Sequence, residues 1–221
     1  MTKIVKIPNV IISDKSRARK SQKSSIFTDM KLVFATANLH KLQEAQEILG
    51  PGFELLPASA AGIREDIPET GNTFRANSLQ KAEYIYERTG MDCFADDSGL
   101  EVDILDGAPG VETARYAGPG RDSSANMAKL LAEMAKKGGD NRKARFRTCV
   151  TLILNGQKHF FDGVMEGSIG MEPYGKGGFG YDPIFIPEGY SITNAQLPEW
   201  KKNEISHRGK ALRAMAEFLD S

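Results

Sequence analysis

Arg145-Phe146-Arg147-Thr148-Cys149-Val150-Thr151-Leu152-Ile153-Leu154 runs into Asn155-Gly156, and after one further residue Lys158-His159-Phe160-Phe161-Asp162-Gly163-Val164-Met165 follows. Both runs are rich in β-branched and aromatic residues, and Asn-Gly between such runs is the strongest short-range hairpin signal, because both positions of a type I′ turn need positive φ. An antiparallel pair is therefore expected from Arg145 to Leu154 and Lys158 to Met165. Elsewhere, apolar strands alternate with helical segments, so the sheet is expected to be mixed and the class α/β, not a plain doubly wound parallel fold.

Upstream of the hairpin, Phe94-Ala95-Asp96-Asp97-Ser98-Gly99 reads as a buried strand ending in two acids. Adjacent carboxylates repel, and keeping both ionised in a partly dry cleft requires a cation or hydrogen-bond donors. Mg²⁺ suits such a pair because it takes oxygen ligands and keeps waters that a phosphate can replace. The same four polar residues are also good turn formers, so a solvated turn that ends the strand is the competing expectation.

Working back to the amino terminus, residues 1–29 are Ser-, Lys- and Arg-rich with little apolar surface, which predicts a disordered extension. Met30 directly precedes the first convincing strand, Lys31 to Thr36, so the expectation is that Met30 is the functional start or that the extension is dispensable; 30–221 is expected to form one domain. A helix from His40 to Leu49 is closed by Gly50, with Asn38 placed as its N-cap. Thr36, Asn38 and Lys41 thus meet at a strand-to-helix junction suited to an anion, although ordinary capping with a solvated lysine explains them equally well. A strand from Phe53 to Ala58 precedes a loop carrying Glu69-Thr70-Gly71, and Thr73 caps a helix to about Arg88 on which Asn77, Lys81 and Tyr84 share a face.

Downstream, a helix is expected from Ser124 to about Lys137. Gly167 to Phe185 is glycine-rich around Lys176, Phe179, Tyr181 and Asp182, a pattern that either brings backbone close to a ligand or forms a mobile loop. A terminal helix is expected from Lys210 to Leu219. His207 and Arg208 just before it oppose the helix dipole unless an anion is bound.

Composition narrows the function classes. With 29 basic and 29 acidic residues the formal net charge is zero, which speaks against a nucleic-acid partner. Two cysteines are too few for a disulfide framework and lack zinc-site spacing, so a reducing compartment, the cytoplasm, is expected. No apolar run is long enough to span a membrane.

Taken together, Thr36-x-Asn38-x-x-Lys41, Glu69-Thr70-Gly71, Asp96-Asp97-Ser98-Gly99, Gly178-Phe179-Gly180-Tyr181-Asp182-Pro183 and Ser206-His207-Arg208-Gly209 occur in an order that resembles the inosine triphosphate pyrophosphatase family. The resemblance covers Met30 to nearly the C-terminus. It implies an elongated twisted sheet with flanking helices, two lobes around a nucleotide-binding cleft, a homodimer, and Mg²⁺-dependent hydrolysis of ITP, dITP and XTP to the monophosphate and pyrophosphate. It also implies Asp97 as general base and metal ligand, with Glu69, and Asp96 less firmly, as further metal ligands. Thr36, Ala37, Asn38, Leu39, His40 and Lys41 would hold the phosphates with Lys81 and Arg115. Ser98, Phe179, Gly180, Tyr181, Asp182, Lys202, His207 and Arg208 would surround the nucleoside.

Departures are visible too. Ala37 stands where many relatives have glycine, and Ala76-Asn77-Ser78 stands where relatives often have Glu-Asn-Ala, which puts more of the metal binding on Glu69 and the Asp pair. Maf-like nucleotide pyrophosphatases share the general architecture and acid chemistry, but the Gly178 to Pro183 and Ser206 to Gly209 motifs favour a purine substrate. A nucleotide-binding regulator without turnover would not need the base.

Overall fold

The computed structural model describes residues 30–221, so the expected extension, 1–29, lies outside the described residues. Six strands form one sheet in the order β2-β1-β3-β4-β5-β6: β1 is Met30–Phe34, β2 Phe53–Pro57, β3 Cys93–Val102, β4 Lys143–Leu154, β5 Gln157–Ile169 and β6 Phe185–Pro187. The β2-β1-β3 side is parallel and the β3-β4-β5-β6 side antiparallel, so the sheet is mixed, as the hairpin required. Among the described residues five α-helices flank it: α1 (Leu39–Leu49), α2 (Phe74–Thr89), α3 (Ser123–Lys137), α4 (Glu199–Ile205) and α5 (His207–Leu219).

The Asn155-Gly156 turn has φ of 49° and 78°, the left-handed pair a type I′ hairpin demands, and it sets a register in which Leu154 faces Gln157 and Lys143 faces Ser168. The helix ends follow their sequence signals. Asn38 accepts from the His40 and Lys41 amides, Thr73 from Ala76, and Gly90 closes α2 in the left-handed conformation.

Two differences from expectation bear on the site. The acidic pair does not end its strand: β3 continues through Ser98-Gly99 to Val102, because ten residues of β4 pair with it, from Cys93 opposite Ile153 to Val102 opposite Ala144. Turn propensity at Asp-Asp-Ser-Gly loses to a long antiparallel ladder. The last helix begins at His207, three residues earlier than expected, with Ser206 as N-cap accepting from the Gly209 amide.

Three apolar clusters fill the interior. On the α1/α5 face, Leu32, Phe34, Phe94, Leu152, Leu212 and Met215 pack together. On the α2 face, Val33, Ala82, Ile85, Ala95 and Ile153 do the same. The third lies toward the far end of the long strands, where Leu100, Val102, Phe146, Met165 and Phe185 meet Leu130 and Met134 of α3. Between the near clusters and the far one, β3 carries Asp96, Asp97, Ser98 and Gly99.

Candidate active site

Side chains alternate along a strand, so neighbours point to opposite faces. Asp96 therefore faces α1 and α5, whereas Asp97 faces α2. β1 pairs with β3 only at Val33–Cys93 and Phe34–Phe94, which leaves the acids just beyond the end of β1. The turn from Thr36 to Asn38 that leaves β1 comes close to this point.

The Asp96 carboxylate is 1% exposed and fully engaged. Lys41 Nζ lies 3.1 Å from each of its oxygens, Arg208 Nε donates to Oδ2 at 2.9 Å, and the Ser98 hydroxyl donates to Oδ2 at 3.2 Å. Arg208 also pairs through Nη1 with Glu44 of α1. Burial alone would raise the Asp96 carboxyl, but Lys41 and Arg208 outweigh it and hold the group far below the usual carboxylate range. Arg208 is correspondingly raised against its own burial by Asp96 and Glu44. Here is the anion that a cation at a helix start requires. Ser98 additionally shares a short hydroxyl contact with Thr148 directly across the β3–β4 ladder.

Asp97 is in the opposite situation. Its Oδ2 accepts from Asn77 Nδ2 at 3.0 Å, and its Oδ1 stands 3.9 Å from Lys81 Nζ. Burial raises the Asp97 carboxyl to about 6; Lys81 and Asn77 oppose the rise, and the neighbouring Glu69 and Asp96 charges add to it. Lys81 makes its closer contact, 2.5 Å, with Glu69. Burial raises Glu69 too, but Lys81 reverses this and leaves it below its ordinary value. One ammonium thus sits against two carboxylates.

Asn77 ties the two acids together, because its Oδ1 accepts from the Gly71 amide at 2.7 Å while its amide nitrogen serves Asp97. Gly71 packs so closely on α2 that an added Cβ would lie 2.7 Å from Ala76 Cβ. The glycine after Glu69-Thr70 is thereby explained: it lets the acidic loop lie on the start of α2.

Glu69 and Asp97 present hard oxygen donors around a position already attractive to a cation, which fits Mg²⁺. Among the described residues no group of three or more His, Cys, Asp or Glu side chains could hold a metal by itself. Two protein carboxylates completed by substrate phosphates and water match the way Mg²⁺ is commonly held. Asp96, expected in this set, stands with Lys41 and Arg208 instead.

The remaining expected site residues divide. At the junction, the Thr36 hydroxyl accepts from the Asn38 amide at 3.1 Å, and Ala37, Asn38, Leu39 and His40 are exposed around the start of α1. Arg115, in the 3₁₀ segment Gly110–Arg115, lies 3.8 Å from Glu112 and its charge helps lower Glu69. Phe179 is 63% exposed, and Gly180 beside it has φ of 61°. Tyr181, by contrast, is a core residue whose hydroxyl donates to the Thr113 carbonyl at 3.0 Å. Asp182 is buried and raised by that burial, while Lys202, half-buried in α4, exerts a lowering charge on it. His207 stacks on Phe146 with ring centroids 5.0 Å apart, and burial together with Arg208 pushes it down to about 3, so it is neutral. Its Nδ1 is buried without a partner. Arg208, expected against the nucleoside, is 3% exposed and committed to Asp96 and Glu44.

Besides Asn77, three contributors were not singled out as site residues by sequence. Glu44 completes the Arg208 pair, Thr148 backs Ser98, and Asn126 pins the turn after Arg115 by accepting from the Ala117 amide and donating to the Ala114 carbonyl. A polar residue at the edge of an apolar helix face, Asn126 beside Leu130, was the available signal for the last.

The profile of the Ham1 family matches residues 32–218. A dITP/XTP pyrophosphatase of Porphyromonas gingivalis is 51% identical over 189 residues, covering 86% of this chain and 97% of that protein. One of Bacillus subtilis is 41% identical over 191 residues, 86% of this chain and 96% of its own. Among solved structures, a HAM1 protein from Coxiella burnetii superposes with a TM-score of 0.82 at 38% identity, covering 86% of this chain and 98% of that one. The Staphylococcus aureus Ham1 protein gives 0.80 at 35% identity, with the same coverage. The chain is a member of the Ham1 family.

Proposed function

We propose that this protein hydrolyses non-canonical purine nucleoside triphosphates, dITP, ITP and XTP, to the monophosphate and pyrophosphate. The observation that carries this is the half-buried Asp97 carboxylate, raised to about 6 and flanked by Glu69, Lys81 and Asn77, next to a cation-lined junction on the other face of the same strand. The names of the relatives supply the substrate class.

The triphosphate is held at the Thr36 to Lys41 turn, where the positive end of α1 and the Lys41 ammonium favour anions. Asp96 aims Lys41 and Arg208 from below and binds no metal. Mg²⁺, held by Glu69 and Asp97, would neutralise phosphate charge when bound. Asp97 accepts the proton as a water oxygen bonds to the α-phosphorus, and the bond from that phosphorus to the bridging oxygen breaks, releasing pyrophosphate. Lys81 and Arg115 compensate the charge on the departing group. Exposed Phe179 offers a ring to the base, with Lys202 and neutral His207 beside the pocket for its polar edge. We further assign a homodimer and a cytoplasmic location, in line with the resemblance; no described helix is long and apolar enough to cross a membrane.

The test is a panel of ITP, XTP, GTP and ATP with pyrophosphate and orthophosphate detected separately, with and without Mg²⁺. Pyrophosphate from ITP and XTP, in preference to GTP and ATP and only with Mg²⁺, is the expected outcome. Orthophosphate as first product, or equal kcat/KM for all four, contradicts it.

A further inference from the structure

Asn194 is 6% exposed and lies in the 3₁₀ segment Asn194–Gln196, far in sequence from every acid of the site. Its Nδ2 donates to Asp182 Oδ1 at 2.8 Å, and its own buried Oδ1 has no partner among the described residues. An ionised carboxylate only accepts, so the amide must present its NH₂ to Asp182 and leave its oxygen dry, an arrangement that is costly unless the bond it secures is needed. With Oδ1 occupied by Asn194, the other Asp182 oxygen is left to accept from the Phe179 amide at 3.1 Å, and the Asp182 amide returns a bond to the Phe179 carbonyl at 3.2 Å.

The segment around Asn194 grips the same loop by other contacts. Ala195 donates to the Asp182 carbonyl, Gly177 donates to the Ala195 carbonyl, and the Thr193 hydroxyl donates to the Tyr174 carbonyl. Gly178, at φ 75°, leaves open the space that the Asp182 carboxylate fills; a Cβ there would overlap it. The loop therefore closes on Asp182, and Asp182 is held by Asn194.

We propose that Asn194 is a positioning residue for purine recognition: through Asp182 it fixes the Phe179 backbone and so sets where the exposed Phe179 ring meets the base. This rests on the nucleotide reading above. It acts on the base end of the substrate and leaves the phosphate end alone.

Asn194→Leu keeps the volume and removes the donor; Asn194→Ser is the second variant should the first fail to fold. Three quantities are read on each: KM and kcat for ITP, inhibition by inorganic triphosphate, which probes the phosphate end alone, and calorimetric binding of inosine monophosphate. The expected result is a KM about ten-fold higher with kcat changed less than about two-fold. Inosine monophosphate should bind correspondingly more weakly, and inorganic triphosphate should inhibit as before. Unchanged ITP KM and monophosphate affinity in a folded variant overturn the proposal. So does an equal loss in all readouts, triphosphate included, since that marks general structural damage. Wild-type protein that binds inosine monophosphate but releases no pyrophosphate from ITP would sink the proposed reaction while the monophosphate titration still decides the role of Asn194. Absence of monophosphate binding to the wild type overturns both.

Discussion

Asp96 and Asp97 are adjacent aspartates on one strand, yet one meets two cations and a hydroxyl while the other meets an amide and a distant, shared lysine. The first is driven deep into its ionised form and the second toward neutrality, to about 6. Strand alternation accomplishes the division without any long-range device, because a shift of one residue exchanges the α1/α5 environment for the α2 environment. Burial alone thus does not decide the charge state of an acid; the partners brought by each face do. An anchor and a base can then stand side by side.

The sharpest way to break the comparison is to neutralise each acid in turn. Asp97→Asn keeps size and the Asn77 neighbour but cannot take a proton, so turnover should fall about 10²- to 10⁴-fold while nucleotide still binds. Rates by pyrophosphate release and affinity by calorimetry decide it; near-normal turnover removes Asp97 from the chemistry. Asp96→Asn should act on the fold instead. It leaves Lys41 without its carboxylate and nearly inaccessible Arg208 with Glu44 alone, and breaking a buried pair from one side costs about 3–5 kcal/mol. Denaturant unfolding should reveal this loss, and a variant as stable as wild type would mean that Asp96 is no anchor.

A smaller effect separates the pair by sign. An acid whose folded value is raised to about 6, above an unfolded value near 3.8, destabilises the fold once pH exceeds both and ceases to do so as pH falls below them. Asp97→Asn should therefore be more stable than wild type at pH 8 in chelator, by about 1–3 kcal/mol after allowing for residual solvation. The gain should shrink as pH falls through 6 and be gone near pH 4. Asp96, depressed below its unfolded value, contributes stability above pH 3.8 that is lost only in stronger acid. A gain for Asp97→Asn that does not vary with pH would dissociate it from titration.

Local signals carried much of this architecture. Asn155-Gly156 announced the hairpin, and Asn38, Thr73, Gly50 and Gly90 marked helix ends, because each depends on residues within a turn of itself. The resemblance likewise named Glu69, Lys81 and Asp97, which the fold brings together. What escaped depends on partners far along the chain. Asp-Asp-Ser-Gly has turn-forming residues, and only the β4 ladder about fifty residues later keeps it extended. The Arg208–Asp96 pair spans 112 residues, so nothing near Arg208 signalled that it would be buried on an acid. The short strand Phe185–Pro187 and helix Glu199–Ile205 were equally silent, being too short to show a period.

The division of the two aspartates is read most directly by carbon-13 NMR titration of their side-chain carboxyls in metal-free protein, with Asp96→Asn and Asp97→Asn providing the assignments. The account predicts an Asp97 midpoint near pH 6 and an Asp96 carboxyl that stays ionised until the protein unfolds in acid. Two ordinary midpoints near pH 4, or an Asp96 that protonates before Asp97, would contradict it.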